Sequence, residues 1–158
     1  MNAILTNEGY KLLFKAINNN TKVNFTSLAA GDGVSFGRTK SQTVKNIRGL
    51  TALVNEKQRV NFKSVNTEDN FAILEAVLSN KNFISDYGYE ITELGIYATD
   101  GTSDTEILYA VILPVAEYNT TIKDFVAKSD YMPPYEEGTA AFEYDMVISV
   151  MISDGEGV

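Results

Sequence analysis

The sequence predicts an α+β domain, predominantly antiparallel β and sandwich-like, with an N-terminal amphipathic helix packed on the sheet. Three observations carry this. Apolar residues recur at helical spacing near the start, at Tyr10, Leu13, Phe14 and Ile17. The period then drops to two and stays there for most of the chain. Near the end, Phe142, Tyr144, Met146, Ile148, Val150 and Ile152 alternate without a break, a spacing that a helix would scatter around its axis. With 158 residues, 44% of them hydrophobic and 22% charged, the chain has the size and mix of one ordinary globular domain, 1–158, and is long enough to bury its own core.

The helix has local support at both ends. Thr6 stands where an N-cap is needed, and Glu8 in the first turn meets the positive end of the helix dipole. Asn18 to Asn20 supply the stop, since Asn tolerates the left-handed conformation better than most residues. Lys11 and Lys15 are the only cations on the helix, too few for a helix lying on a membrane surface.

Strands follow in order. Val23 to Leu28 reads as a short strand, ended by Ala29-Ala30-Gly31-Asp32-Gly33. That glycine pair reads as a plain turn, because it lacks the alternating ligands of a calcium loop and the Lys-Ser/Thr pair of a phosphate loop. Ser35 to Gly49 is polar and reads as a long exposed loop of the kind that carries contacts to a partner. Arg59 to Val65 alternates as a strand, with Val60 and Phe62 on one face. Phe71 to Leu78 is apolar at nearly every position, which fits a strand covered on both faces or a short buried helix; periodicity leaves both open. Ile91 to Ala98 puts Leu94, Ile96 and Ala98 on one side and Glu93, Gly95 and Tyr97 on the other. The turn cluster Thr99 to Asp104 and the run Glu106 to Leu113 complete a hairpin that Pro114 ends. The stretch from there to Tyr131 gives no clear assignment. In the final strand the second face turns apolar only at Val147 and Met151, which calls for cover from this chain or a neighbouring subunit.

Composition removes much chemistry. Without Cys or His there is no disulfide, thiolate nucleophile, imidazole base or Cys/His zinc site. A net charge of -8 disfavours a nucleic-acid groove, and the small basic run Lys40, Lys45 and Arg48 reads as a solvated loop. No stretch approaches the ~20 apolar residues needed to span a bilayer, so no membrane insertion is expected, and Met1 to Leu5 does not open a secretory signal. A glycan-cleaving enzyme needs two carboxylates facing one bond. Glu90 and Glu93, three apart on a strand, point to opposite faces. No catalytic residue, cofactor or metal site is expected.

The order of motifs resembles a known family. These are Leu5-Thr6-Asn7-Glu8-Gly9 leading into Leu12-Leu13, Ala30-Gly31-Asp32-Gly33, and Leu50 to Glu56 followed by Val60. Leu78-Ser79-Asn80, Gly88-Tyr89-Glu90-Ile91-Thr92-Glu93-Leu94-Gly95-Ile96-Tyr97-Ala98, Ile107-Leu108-Tyr109-Ala110 and Asp130-Tyr131-Met132-Pro133-Pro134 complete the series. Across essentially the whole chain they resemble the N-terminal domain of phage tail-collar fibre proteins, found in tailed phages and in contractile phage-tail-like particles such as bacteriocins. The resemblance implies a non-enzymatic module attaching a tail fibre to the baseplate. It also implies a baseplate protein and tail fibre subunits as partners, a homotrimer, and a place in a virion or tail-like particle assembled in the bacterial cytoplasm. Similar domains usually begin a longer fibre with a shaft and a receptor-binding tip, and neither is present between residues 1 and 158; the tip's function is therefore not carried over.

Contact residues are sought among the aromatics, since Tyr gives large area at low entropic cost with a hydroxyl that can be satisfied at a rim. Tyr87, Tyr89, Tyr118, Tyr131 and Tyr135 stand in loop-like or strand-end positions and are the candidate partner contacts, against the competing reading that they cover the domain's own core edges. The alternative function is a carbohydrate-binding adhesin recognising the host surface, with Tyr131, Tyr135, Asp86 and Asn119 as its candidates.

Overall fold

A computed structural model describes residues 3–33, 45–82, 87–113, 116–121, 123–127 and 130–152. It is an α+β fold of antiparallel sheets with one N-terminal helix. The elements are β1 (Ala3–Leu5), α1 (Asn7–Asn18), β2 (Asn24–Gly31), β3 (Glu56–Asn61), β4 (Ser64–Glu68), β5 (Phe71–Ser79), a 3-10 turn (Asn80–Asn82), β6 (Tyr89–Ile91), β7 (Glu93–Thr99), β8 (Ile107–Ile112), β9 (Ala116–Asn119), β10 (Asp124–Ala127), β11 (Asp130–Met132) and β12 (Glu143–Met151).

Helix α1 starts and stops as its residues dictate. The Thr6 hydroxyl accepts from the Gly9 N–H at 2.9 Å and donates to the β8 carbonyl of Leu108, so the cap also fastens the helix to the sheet. At the other end Asn20 adopts φ 53, the left-handed stop that Asn permits. The buried stripe differs from the one the sequence suggests. It is Gly9, Leu12, Leu13 and Ala16, with Tyr10 and Ile17 at its flanks and Phe14 half exposed. Gly9 sets this face: a Cβ there would fall on the backbone carbonyl of Tyr109, so the helix rolls its smallest residues onto β8. Counting large apolar side chains does not see this.

Two antiparallel sheets share the core. The larger has the order β1-β8-β7-β2-β3 and the smaller β12-β5-β4. Leu28, Ala30, Leu94, Ile96, Ala110 and Ile112 from the first meet Leu74, Leu78, Met146 and Ile148 from the second, and α1 adds Leu12 and Leu13. The expected hairpin is present as β7–β8, its register shifting between Ile96 and Tyr97. Strand β5 settles the ambiguity of Phe71 to Leu78. It is a strand with Ala72, Leu74, Ala76 and Leu78 fully buried on one face, while Phe71, Ile73, Glu75 and Val77 keep partial exposure on the other.

Four boundaries are corrected. The expected strand Ile91 to Ala98 is broken at Thr92: Ile91 ends β6, which pairs with β11, and β7 begins at Glu93 in the larger sheet. Strand β2 does not stop at Leu28 but runs through Ala29 and Ala30, both fully buried, to Gly31. The expected strand Arg59 to Val65 is split: β3 ends at Asn61 and β4 begins at Ser64 in the other sheet. The expected exposed loop Ser35 to Gly49 contains a helical turn at 45–48 whose Ile47 is only 3% exposed; residues 34–44 lie outside the described residues. Ile47 and Leu53 cover Ala29, Tyr97, Leu108 and Val111 on the outer face of the larger sheet, so that sheet is apolar on both sides. The stretch without an assignment contributes the hairpin β9–β10 and the strand β11, which pairs with β6.

Candidate functional site

Among the described residues, the largest set of exposed aromatics gathers where β5, β6, β11 and β12 reach one end of the fold. Asn80 organises it. Its place continues the inward-facing row Ala72, Leu74, Ala76 and Leu78 by one more step, and it is only 3% exposed. Its Oδ1 accepts from the Phe142 N–H at 2.9 Å, its own N–H donates to the Phe142 carbonyl at 3.1 Å, and its Nδ2 donates to the Pro134 carbonyl at 3.4 Å. A buried polar side chain satisfied in this way fixes the segments it joins. Here they are the end of β5, the Pro133–Pro134 turn and the approach to β12.

Around that hub the contacts are continuous. The Phe142 and Tyr144 rings meet edge-on at 5.0 Å, and the Tyr144 hydroxyl donates to the Tyr131 carbonyl at 3.0 Å. The Tyr131 ring closes over the backbone of Gly88, where a Cβ would collide with its hydroxyl end and with the Met132 carbonyl. On the far side of Asn80, Lys81 Nζ lies 5.3 Å from the Tyr135 ring centroid, within range of a cation–π attraction. Tyr87 is 80% exposed, Tyr131 51% and Phe142 42%.

Of the five candidate contacts, three fall on this rim: Tyr87 and Tyr131 exposed, Tyr135 half-buried. Tyr89 does not present a surface. It is buried, Gln58 Nε2 donates to its hydroxyl, and burial pushes its pKa above the ordinary tyrosine value against the lowering effect of that bond. In β6 it alternates with exposed Glu90 and so turns inward beside Ile91. Tyr118 and Asn119 lie in β9, opposite Phe125 and Asp124, with side chains outside the described residues; Asp86 is outside them altogether. Sequence reasoning missed Asn80 and Phe142. Asn80 was legible as a polar residue on an apolar inward row. Phe142 was assigned to the core face, but it precedes the first residue of β12 and overhangs the core's edge.

A second constellation centres on Glu93, which is fully buried. Its Oε1 accepts from the Val54 N–H at 2.8 Å, and its Oε2 from the N–H groups of Asn55 at 2.9 Å and Gly33 at 2.8 Å. A buried carboxylate with three charge-assisted bonds from backbone amides is compensated without a counter-ion. The glycines of the Gly31-Asp32-Gly33 turn follow from this. A Cβ at Gly33 would stand 2.6 Å from Glu93 Oε2, and one at Gly31 2.7 Å from it. Asn55 Nδ2 also donates to Asp32 at 2.6 Å. Glu90 is exposed, so the two acids do not converge. Among the described residues no group of three or more Asp, Glu, His or Cys is placed to hold a metal ion.

Charge on the outer face of the larger sheet is internally matched. Arg59 contacts Glu106 at 2.8 Å and Glu56 at 2.6 Å, with its guanidinium 3.7 Å from the Tyr97 ring centroid. Glu106 also accepts from the hydroxyls of Thr26 and Ser27. Burial alone would raise the Glu106 pKa, but those hydroxyls and Arg59 hold it below the ordinary glutamate value. An open cleft of about 240 Å³ between α1 and the β7–β8 turn is lined by Glu8, Lys11, Lys15, Asp100, Ser103 and Thr105. Lys15 pairs with Asp100 across it at 2.9 Å. That pair, helped by the Thr102 N–H and hydroxyl, holds the Asp100 carboxyl well below its ordinary range. The cleft offers matched charges and no activated nucleophile.

Comparison with protein-family models, with curated proteins and with solved structures finds no match in any of the three.

Proposed function

We propose that this chain is a structural attachment module of a phage tail or contractile phage-tail-like particle, joining a tail fibre to the baseplate by contact rather than by chemistry. The observation that carries the reading is the aromatic rim. Tyr87, Tyr131 and Phe142 are large and exposed; the buried Asn80 holds Phe142, and Tyr131 packs over Gly88, the residue next to Tyr87. Rigid aromatics at low entropic cost are what protein interfaces use as anchors. The resemblance to tail-collar fibre domains supplies the identity of the partners and an assembly of three copies. Its longest motif, Gly88 to Ala98, builds β6 and β7, and β6 pairs with the strand that carries Tyr131.

Co-expression with the baseplate and fibre proteins of the same particle tests this. The chain is expected to co-purify with them as three copies by light scattering. Tyr131→Ala combined with Tyr87→Ala is expected to weaken capture roughly tenfold or more, as loss of two interface anchors does. A chain that captures neither partner yet binds purified cell-surface glycans through the same tyrosines would instead establish the adhesin.

A further inference from the structure

The aromatic rim is edged with carboxylates. Strands β6 and β11 pair with Glu90 directly opposite Tyr131, so the two side chains share a face, with Cβ atoms about 4.5–5.5 Å apart. The Tyr131 ring leans toward Gly88, two residues before Glu90, and does not cover the acid: both residues are exposed. Glu136 and Glu137 follow Tyr135, Glu143 follows Phe142, and all three are exposed as well.

The ion pairs among the described residues lie elsewhere. They engage Glu8, Asp32, Glu56, Glu75, Asp100 and Glu106, and none of the four rim glutamates. Lys81, the residue after Asn80, is set over the Tyr135 ring, so this end of the fold already seats one cation on a tyrosine face.

A second contact in the chain shows what completes a ring and a carboxylate on one sheet face. On the outer face of the larger sheet the Arg59 guanidinium lies 3.7 Å from the Tyr97 ring centroid and meets Glu106 at 2.8 Å and Glu56 at 2.6 Å. A planar guanidinium serves both kinds of partner at once. Its face stacks on the ring while its edge donates N–H groups to the acid. A lysine ammonium is a compact, strongly hydrated point charge and does this less well. Tyr131 and Glu90 offer the same pair of partners, but toward the outside.

We infer that the rim docks a protein whose contact face is basic, through an arginine that stacks on Tyr131 and pairs with Glu90. Glu136, Glu137 and Glu143, with the net charge of -8, draw that face in. The identity of the partner, a baseplate or fibre protein, rests on the attachment reading; what is added is the side chain that the partner brings.

A defined probe tests the seat apart from any partner. Acetyl-Gly-Arg-Gly-amide, its lysine counterpart and its neutral citrulline isostere are titrated into the chain, and the Tyr131 ring and Glu90 amide signals are followed by NMR. The arginine probe is expected to move both signals and to bind roughly three- to tenfold more tightly than the lysine probe, with citrulline weaker still. Glu90→Gln and Tyr131→Ala should each weaken it roughly threefold or more. Asp104→Asn, which removes an exposed carboxylate in the β7–β8 turn, should leave it unchanged. Circular dichroism verifies folding of each variant. Shifts spread evenly over the chain's acids, equal binding of the arginine and lysine probes, or binding unaltered by Glu90→Gln overturns the proposal.

Capture of the baseplate or fibre protein then separates the two readings. Capture that weakens with added salt, and roughly tenfold or more in Glu90→Lys, supports both. Capture lost in Tyr131→Ala but indifferent to Glu90→Lys overturns the arginine contact and leaves attachment standing. A seated arginine probe with no capture of either protein does the reverse.

Discussion

Glu93 and Gly33 meet through a 2.8 Å hydrogen bond from the glycine N–H to carboxylate Oε2 across 60 residues of sequence. The same carboxylate holds Val54 and Asn55. One strand residue thus anchors two loops, and the glycines beside it leave the space its oxygens occupy. Glu93→Gln keeps the shape but replaces one acceptor with a donor aimed at backbone N–H groups. The expected loss is about 2–3 kcal/mol of stability, since a bond to a charged group contributes about 1.5–3 and a buried donor is left unmet. Urea unfolding at unchanged slope measures it; a loss below about 0.5 kcal/mol would refute the anchoring role.

Glycine substitutions should separate by position. In an ordinary helix Gly→Ala stabilises by about 1 kcal/mol, but at Gly9 the added methyl meets the Tyr109 backbone. Gly9→Ala is therefore expected to destabilise by about 2–4 kcal/mol, through overpacking and displacement of the helix from β8. Gly49→Ala, whose nearest neighbour would be the Asn46 carbonyl at 3.7 Å, should stay within about 0.5 kcal/mol of the parent. Thermal melts of the pair decide it, and equal effects at both sites would refute the packing argument.

Acid should weaken the outer face through Glu106. Its pKa is below the ordinary value of 4.5 in the folded chain, so its contribution is fully present above that ordinary value and is lost as pH falls through the folded value. The melting temperature is expected to fall as the pH drops below the ordinary glutamate value of 4.5, and Glu106→Gln should flatten part of that slope. An identical pH profile in the variant would show that the Thr26, Ser27 and Arg59 contacts do not couple to folding.

Removing the rim's hub should loosen it without emptying the core. Asn80→Ala leaves the Phe142 N–H and the Pro134 carbonyl without that side chain, an expected loss of about 1–3 kcal/mol. Amide exchange at Phe142 should accelerate while that at Ile148, buried in mid-strand, changes only with global stability. Uniform acceleration at both would place the effect elsewhere.

What the sequence made legible was periodic. The β7–β8 hairpin, the inward row of β12 and the Thr6 cap depend on spacing and local hydrogen bonding, and all three stand where the pattern puts them. What it hid depends on neighbours distant in the chain. A lone Glu facing away from a strand's apolar side reads as solvated; Glu93 is buried because residues 45–55 fold over that side. Phe14 outweighs Gly9 on any hydrophobicity count, yet close approach to Tyr109 decides which face of α1 is buried. Tyr89 and Tyr131 look alike as strand-end tyrosines. They stand on neighbouring strands, and their faces separate them, because Tyr131 lies opposite exposed Glu90 while Tyr89 lies opposite buried Met132.

Tyr109 ties these parts together in time as well as in space. Its carbonyl accepts from the Thr6 N–H, its ring meets Phe25 edge-on at 5.2 Å, and its hydroxyl reaches Met151. The start of the helix, the larger sheet and the last strand therefore meet at one buried residue. Neither end can fray far without exposing a ring that its neighbours keep dry, so the domain should open as one cooperative unit, with the amides around β8 among the last to exchange.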